Sequence, residues 1–108
     1  SRYLRNRIAG PGTYEGGKQQ MNDGAKYISF EGPAGEFMVI FSQSVYHRDM
    51  AYALKKVGAK PVGAGFVKIP KEEEAISVRP YCYGRSDSLK MKPRDPEDDI
   101  LLWVTLGV

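Results

Sequence analysis

A chain of 108 residues with 42% hydrophobic and 27% charged residues has the profile of one globular domain, long enough to bury roughly 60 to 70% of its unfolded surface. Sixteen basic against 13 acidic residues leave a net charge of +3, which weakly favours anionic partners. Cys82 is the single cysteine and His47 the single histidine, so an internal disulfide is excluded and no metal or other cofactor is expected.

The first 24 residues contain Gly10, Pro11, Gly12, Gly16 and Gly17, few large apolar side chains, and Arg2, Arg5, Arg7 and Lys18. Such a stretch cannot build a core of its own, so 1–24 is expected to be a flexible basic arm and 25–108 a single α+β domain. The longest apolar run, 37–41, is too short to span a bilayer, and the N-terminal residues are polar and arginine-rich. With its lone cysteine, the chain is expected to be soluble, unanchored and cytoplasmic.

Residues 26–31 and 36–42 are β-branched and aromatic runs separated by Gly32-Pro33-Ala34-Gly35, which predicts a hairpin. The second run is apolar at consecutive positions and reads as a central strand covered on both faces. Ser44 then stands where it could cap a helix with an apolar stripe of Tyr46, Met50, Ala53, Leu54 and Val57, closed by Gly58. Strands are predicted over 61–69 and 75–83, with a charged turn at 70–74 between them. Asp95-Pro96-Glu97-Asp98-Asp99 predicts the opening of a closing helix, with Gly107 beyond 100–106, although 100–106 would also serve as a strand. The order β-β-α-β-β-α predicts an α+β fold with one mostly antiparallel sheet.

His47 falls in the first turn of the predicted helix, where the positive end of the dipole favours a neutral imidazole able to act as base or nucleophile. The bland alternative is that it packs locally beside Tyr46. His47-Arg48-Asp49 matches the triplet of kinase catalytic loops, but the downstream asparagine and the nucleotide loop are missing. Gly63 and Gly65 begin a dinucleotide-type pattern that Lys68 breaks. Strand alternation puts both glycines on one face, opening a flat patch that a helix, a backbone or a ligand could approach. The same stretch has the strand shape of an RNA-recognition motif, yet Ala64 and Ile69 stand where the stacking aromatics belong.

In a strand running through 75–83, Arg79, Tyr81 and Tyr83 share the face opposite Ile76, Val78 and Cys82. Arginine alternating with tyrosine suits phosphates, bases or an acidic protein surface. Pro80 marks that strand as an edge, within reach of a partner. The loop Gly84-Arg85-Ser86-Asp87-Ser88 offers donors that could hold a phosphate or cap a turn.

Lys26-Tyr27, Tyr46-His47-Arg48-Asp49, Gly63-Ala64-Gly65 and Tyr83-Gly84, in that order, resemble the motifs of the Janus family of phosphohistidine phosphatases. That resemblance implies a small α+β enzyme with His47 as nucleophile or base and Lys26 as a phosphate contact. Phe66 and Pro80 stand where that family carries an arginine and a serine. A second series, Phe41-Ser42 with His47 and Asp49, Ala64-Gly65-Phe66-Val67, Tyr83-Gly84-Arg85-Ser86-Asp87-Ser88-Leu89 and Pro96-Glu97-Asp98-Asp99, is similar to short bacterial and phage-borne accessory proteins.

The sequence therefore supports two readings. The first is a binding domain, of phage accessory type, that docks an anionic protein surface, a nucleic acid or a phosphorylated ligand through Arg79, Tyr81, Tyr83, Arg85 and Ser86, with Arg48, Gly63 and Gly65 contributing. The second is a phosphoryl-group hydrolase centred on His47 and Lys26. Whether His47, Lys26 and Arg85 meet in one pocket separates them.

Overall fold

The computed structural model describes residues 24–108, so the arm expected at the N-terminus lies, apart from Gly24, outside the described residues. Strand β1 (Lys26–Gly32) turns through Pro33 and Ala34 into β2 (Gly35–Phe41), with Gly32 opposite Gly35. Gly35 takes φ 124, a conformation that side chains resist and glycine accepts. Helix α1 (His47–Lys55) leads to β3 (Lys60–Lys68), a short 3₁₀ turn (Glu72–Glu74), β4 (Tyr81–Tyr83) and helix α2 (Glu97–Leu106). The sheet order is β2-β1-β3-β4 with every pairing antiparallel, the α+β arrangement that the sequence predicts.

Alternation along β1 divides the core in two. Tyr27 joins Met38, Val67, Leu102 and Leu106 under α2, while Ile28 and Phe30 join Phe41, Ala51 and Ala64 under α1. The two helices thus cover opposite faces of the sheet, and β1 is buried between them. Each fully buried large side chain, such as Phe30, Ile28 or Leu102, contributes about 1.5 to 3 kcal/mol.

Several expectations need correction. The apolar run of β2 is an edge strand, because it pairs with β1 alone; its consecutive apolar residues arise from helices on both faces, Met38 and Ile40 turning to α2, Val39 and Phe41 to α1. The buried face of α1 is His47 and Ala51 with Met50 and Leu54, whereas Ala53 is exposed and Tyr46 and Val57 are 59% and 64% exposed. Tyr46 still has extended backbone (φ −74, ψ 143) and Val57 lies in the turn beyond the helix, so neither keeps the helical period. Ser44 caps nothing at α1; its hydroxyl instead lies 2.8 Å from that of Ser42. The strand expected over 75–83 shrinks to Tyr81–Tyr83, because 72–78 is taken up by 3₁₀ and turn bonds such as Val78 N–H to Glu74 O at 3.0 Å.

Gly58 (φ 83) and Gly107 (φ 75) end their helices as the sequence indicates. Pro96 occupies the N-cap position of α2 instead of its first turn. The acids that follow do more than favour the helix dipole. Asp98 is fully buried and accepts from the Tyr27 hydroxyl at 2.6 Å, from the Arg94 amide at 3.1 Å and from Arg94 Nε at 2.9 Å. Arg94 reaches on to both carboxylate oxygens of Glu36, at 3.0 and 3.2 Å, and holds that carboxyl below its ordinary pKa. Burial, reinforced by the bond to Asp98, keeps the Tyr27 phenol protonated far above the usual range. Asp99 Oδ1 accepts the Cys82 amide at 2.8 Å, and Trp103 Nε1 donates to the Pro80 carbonyl at 2.7 Å, so side chains of α2 seal the open edge of β4. Burial and the nearby Asp99 charge push the Cys82 thiol up, leaving it neutral.

Among the described residues no helix is long and apolar enough to cross a membrane.

Candidate functional site

A cavity of about 470 Å³ opens where the start of β1, the N-terminus of α1, the middle of β3 and the loop after β4 converge. Lys26, Tyr46, His47, Arg48, Phe66, Arg85, Asp87 and Ser88 line it. Three cationic side chains face one carboxylate. The N-terminal end of α1 adds positive potential from its backbone dipoles.

Local structure sets each cation. Lys26 donates from Nζ to the Val45 carbonyl at 2.9 Å, which holds the ammonium over the entry to α1. The Tyr46 ring lies 5.6 Å from Lys26 Nζ and 5.1 Å from the Arg48 guanidinium, so one exposed ring faces two charges. Arg85 pairs with Asp87 at 3.2 Å, both side chains largely in solvent, where such a pair is worth at most about 1 kcal/mol. A tighter-binding anion can displace it.

His47 is buried beside these groups. Its ring meets Phe41 and Phe66 edge-on, at 5.6 and 5.8 Å between centroids, and its Nε2 lies 2.9 Å from the Gly65 carbonyl oxygen. A carbonyl only accepts, so Nε2 carries the proton and Nδ1 keeps the lone pair of the neutral ring. Burial, and secondarily the Lys26 charge, lower the His47 pKa below 6.5, and the Gly65 carbonyl offsets part of that shift. The unfolded chain therefore takes up a proton on His47 before the folded chain does. Stability from this residue is fully present above pH 6.5 and is lost as pH falls toward the depressed folded value. Denaturant midpoints measured between pH 7.5 and 5 should fall for the wild type, and the fall should flatten in His47→Gln.

The expected binding face divides. Arg79 stacks on Trp103, 4.1 Å from the ring centroid, and takes no part with the tyrosines, because it precedes β4 and strand alternation does not reach it. Tyr83 stacks on Phe66 at 5.8 Å, with Tyr81 6.0 Å further along, both partly exposed. Ser86 is buried; its Oγ accepts the Leu89 amide at 3.2 Å and its backbone bridges to Met91, so it caps the turn and Ser88 reaches the cavity in its place. Gly63 and Gly65 do not open onto the cavity. A side chain at Gly63 would strike the Asp98 carboxylate, and one at Gly65 would lie 2.6 Å from the Tyr83 carbonyl and 3.2 Å from Pro93. Gly65 still serves the site through the carbonyl that orients His47.

Sequence reasoning passed over Tyr46 and Phe66 as pocket residues, whereas Asp87 and Ser88 belong to the loop named as able to hold a phosphate or cap a turn. Phe66 was accessible in principle, since alternation sets it opposite the two glycines, on the face where α1 begins. Among the described residues no group of three or more His, Cys, Asp and Glu side chains could hold a metal ion. No family model, curated protein or solved structure matches this chain.

Proposed function

We propose that this domain binds a phosphoryl group in the Lys26, His47, Arg48 and Arg85 pocket. The observation that carries the reading is the meeting of His47, Lys26 and Arg85 in one cavity. The tetrahedral oxyanion would take charge-assisted hydrogen bonds from Lys26, Arg48 and Arg85, with the hydroxyl of Ser88 as a neutral donor. The resemblance to the Janus phosphatases points to the same class of ligand, and Arg48 and Arg85 supply positive charge that Phe66 no longer provides. An anionic partner of an accessory protein would present its phosphoryl group to this pocket; the Arg79 side of the domain would be spared.

One observation favours a catalytic version of this reading. The tautomer fixed by Gly65 leaves Nδ1 of His47 as the basic nitrogen, suited to attack phosphorus or to take a proton from water. In the covalent route the Nδ1 lone pair forms the N–P bond as the bond to the leaving group breaks. Water then cleaves the N–P bond, and free phosphate leaves.

Calorimetric titration with inorganic phosphate tests binding. Lys26→Ala and Arg85→Ala should each weaken it by roughly tenfold or more, as lost charged hydrogen bonds do, while Arg79→Ala should leave it unchanged. Equal affinity in all four proteins would remove the pocket from consideration. Phosphate release from a phosphohistidine peptide, abolished by His47→Ala, would establish the hydrolase; its absence would leave the binding role alone.

A further inference from the structure

Phe66 belongs both to the pocket wall and to a row of rings that leaves it. From His47 the row runs through Phe66 to Tyr83 and Tyr81, in steps of 5.8, 5.8 and 6.0 Å between centroids. It lies on the α1 face of the sheet at its β4 end, where Tyr83 and Tyr81 remain 39% and 42% exposed. Lys68, paired with Tyr81 across the β3–β4 ladder, adds a cation on the same face. Flat apolar rings exposed beside a cationic pocket suit a ligand with an anionic head and a planar body. Exposed tyrosines on a strand, edged by basic residues, are also the usual platform for base stacking.

The carrier could instead be a peptide, but its usual way onto an edge strand is main-chain pairing. On β4 that route is obstructed, because Asp99 takes the Cys82 amide and Trp103 takes the Pro80 carbonyl. Ring stacking is left as the means of recognition. Resting on the pocket assigned above, we infer that the phosphoryl group is carried by a nucleoside: the ligand is a nucleoside monophosphate, its phosphate between Lys26 and Arg85 and its base on Tyr83 and Tyr81.

Calorimetry on the full chain with inorganic phosphate, ribose 5-phosphate and adenosine 5′-monophosphate separates the contributions. The nucleotide should bind about tenfold more tightly than the sugar phosphate, the increment expected of one stacked base. Tyr83→Leu, which keeps an apolar side chain against Phe66, should abolish that increment and leave ribose 5-phosphate within about twofold of wild type. Tyr81→Ser, at an exposed position, gives a second reading that does not depend on the Phe66 packing and should reduce the increment in part. Equal affinity for nucleotide and sugar phosphate, both sensitive to Lys26→Ala, would overturn the nucleoside and keep the pocket. A phosphotyrosine peptide binding more tightly than the nucleotide would overturn it in favour of a peptide carrier. If none of the phosphates binds, the pocket assignment fails and the nucleoside inference fails with it.

Discussion

Asp98→Ala should lower the stability of the domain by about 3 to 5 kcal/mol, the usual result of removing one partner from a buried charged pair. The carboxylate is fully buried and accepts from Tyr27 and twice from Arg94, and its ion pair with Arg94 Nη2 is 2.7 Å long. Alanine would strand a phenol hydroxyl beneath α2 and leave the guanidinium only its outer partner, Glu36. Because a domain of this size is stable by roughly 5 to 15 kcal/mol in total, the variant should sit close to its unfolding threshold. Glu36→Gln, at the solvent end of the same chain of contacts, should lose far less, because solvent screens its pairing with Arg94. Urea denaturation of the two variants checks the contrast. Equal losses would mean that the network derives its strength from its exposed end, against the burial seen here.

Gly65→Ala should cost about 2 to 3 kcal/mol by overpacking, although one methyl group is all that is added. The new carbon would face the backbone carbonyl of Tyr83 at 2.6 Å with Pro93 behind it, and neither is a flexible side-chain end that can swing aside. Relief requires β3 and β4 to separate, which moves the Gly65 carbonyl away from His47 and Tyr83 away from Phe66. Stability and phosphate affinity should therefore fall together. Gly35→Ala offers the comparison: nothing lies within 4 Å of a side chain there, so its cost comes from the positive φ of the backbone alone, and phosphate affinity should stay unchanged. A destabilised Gly65→Ala with unchanged phosphate affinity would show that the ladder between β3 and β4 does not set the pocket.

The sequence carried the element order because turns and caps are local. Gly58 and Gly107 end helices, and Pro33-Ala34 turns a hairpin, through the torsions of a few residues. The errors have one common origin. Apolar patterning tells how many sides of a strand are covered but not how many neighbours it pairs with, so β2 read as central when it is an edge. In the same way Tyr46 and Val57 matched a helical period that the chain follows only between His47 and Lys55. The pocket was half legible. Lys26, His47, Arg48 and Arg85 could be named as chemically capable groups, but their meeting depends on strand order, and Phe66 joins them because β3 pairs with β1, which sets Phe66 opposite Lys26. The burial of Asp98 was hidden for the opposite reason, since acids at a helix start are ordinarily solvated and only Gly63 hinted that something presses on the sheet.

The link between Tyr27 and Asp98 joins residues 71 positions apart. Helix α2 follows all the other described elements in the chain, yet it covers one face of β1, bonds the β4 edge and completes the polar contact beneath the sheet. A ribosome that has released everything up to Met91 has therefore delivered all four strands without one of the two layers they need. The chain emerging during synthesis should stay collapsed and unpaired on that side until the last helix arrives, and the domain should then form in one cooperative step, at a rate governed by closing this long loop.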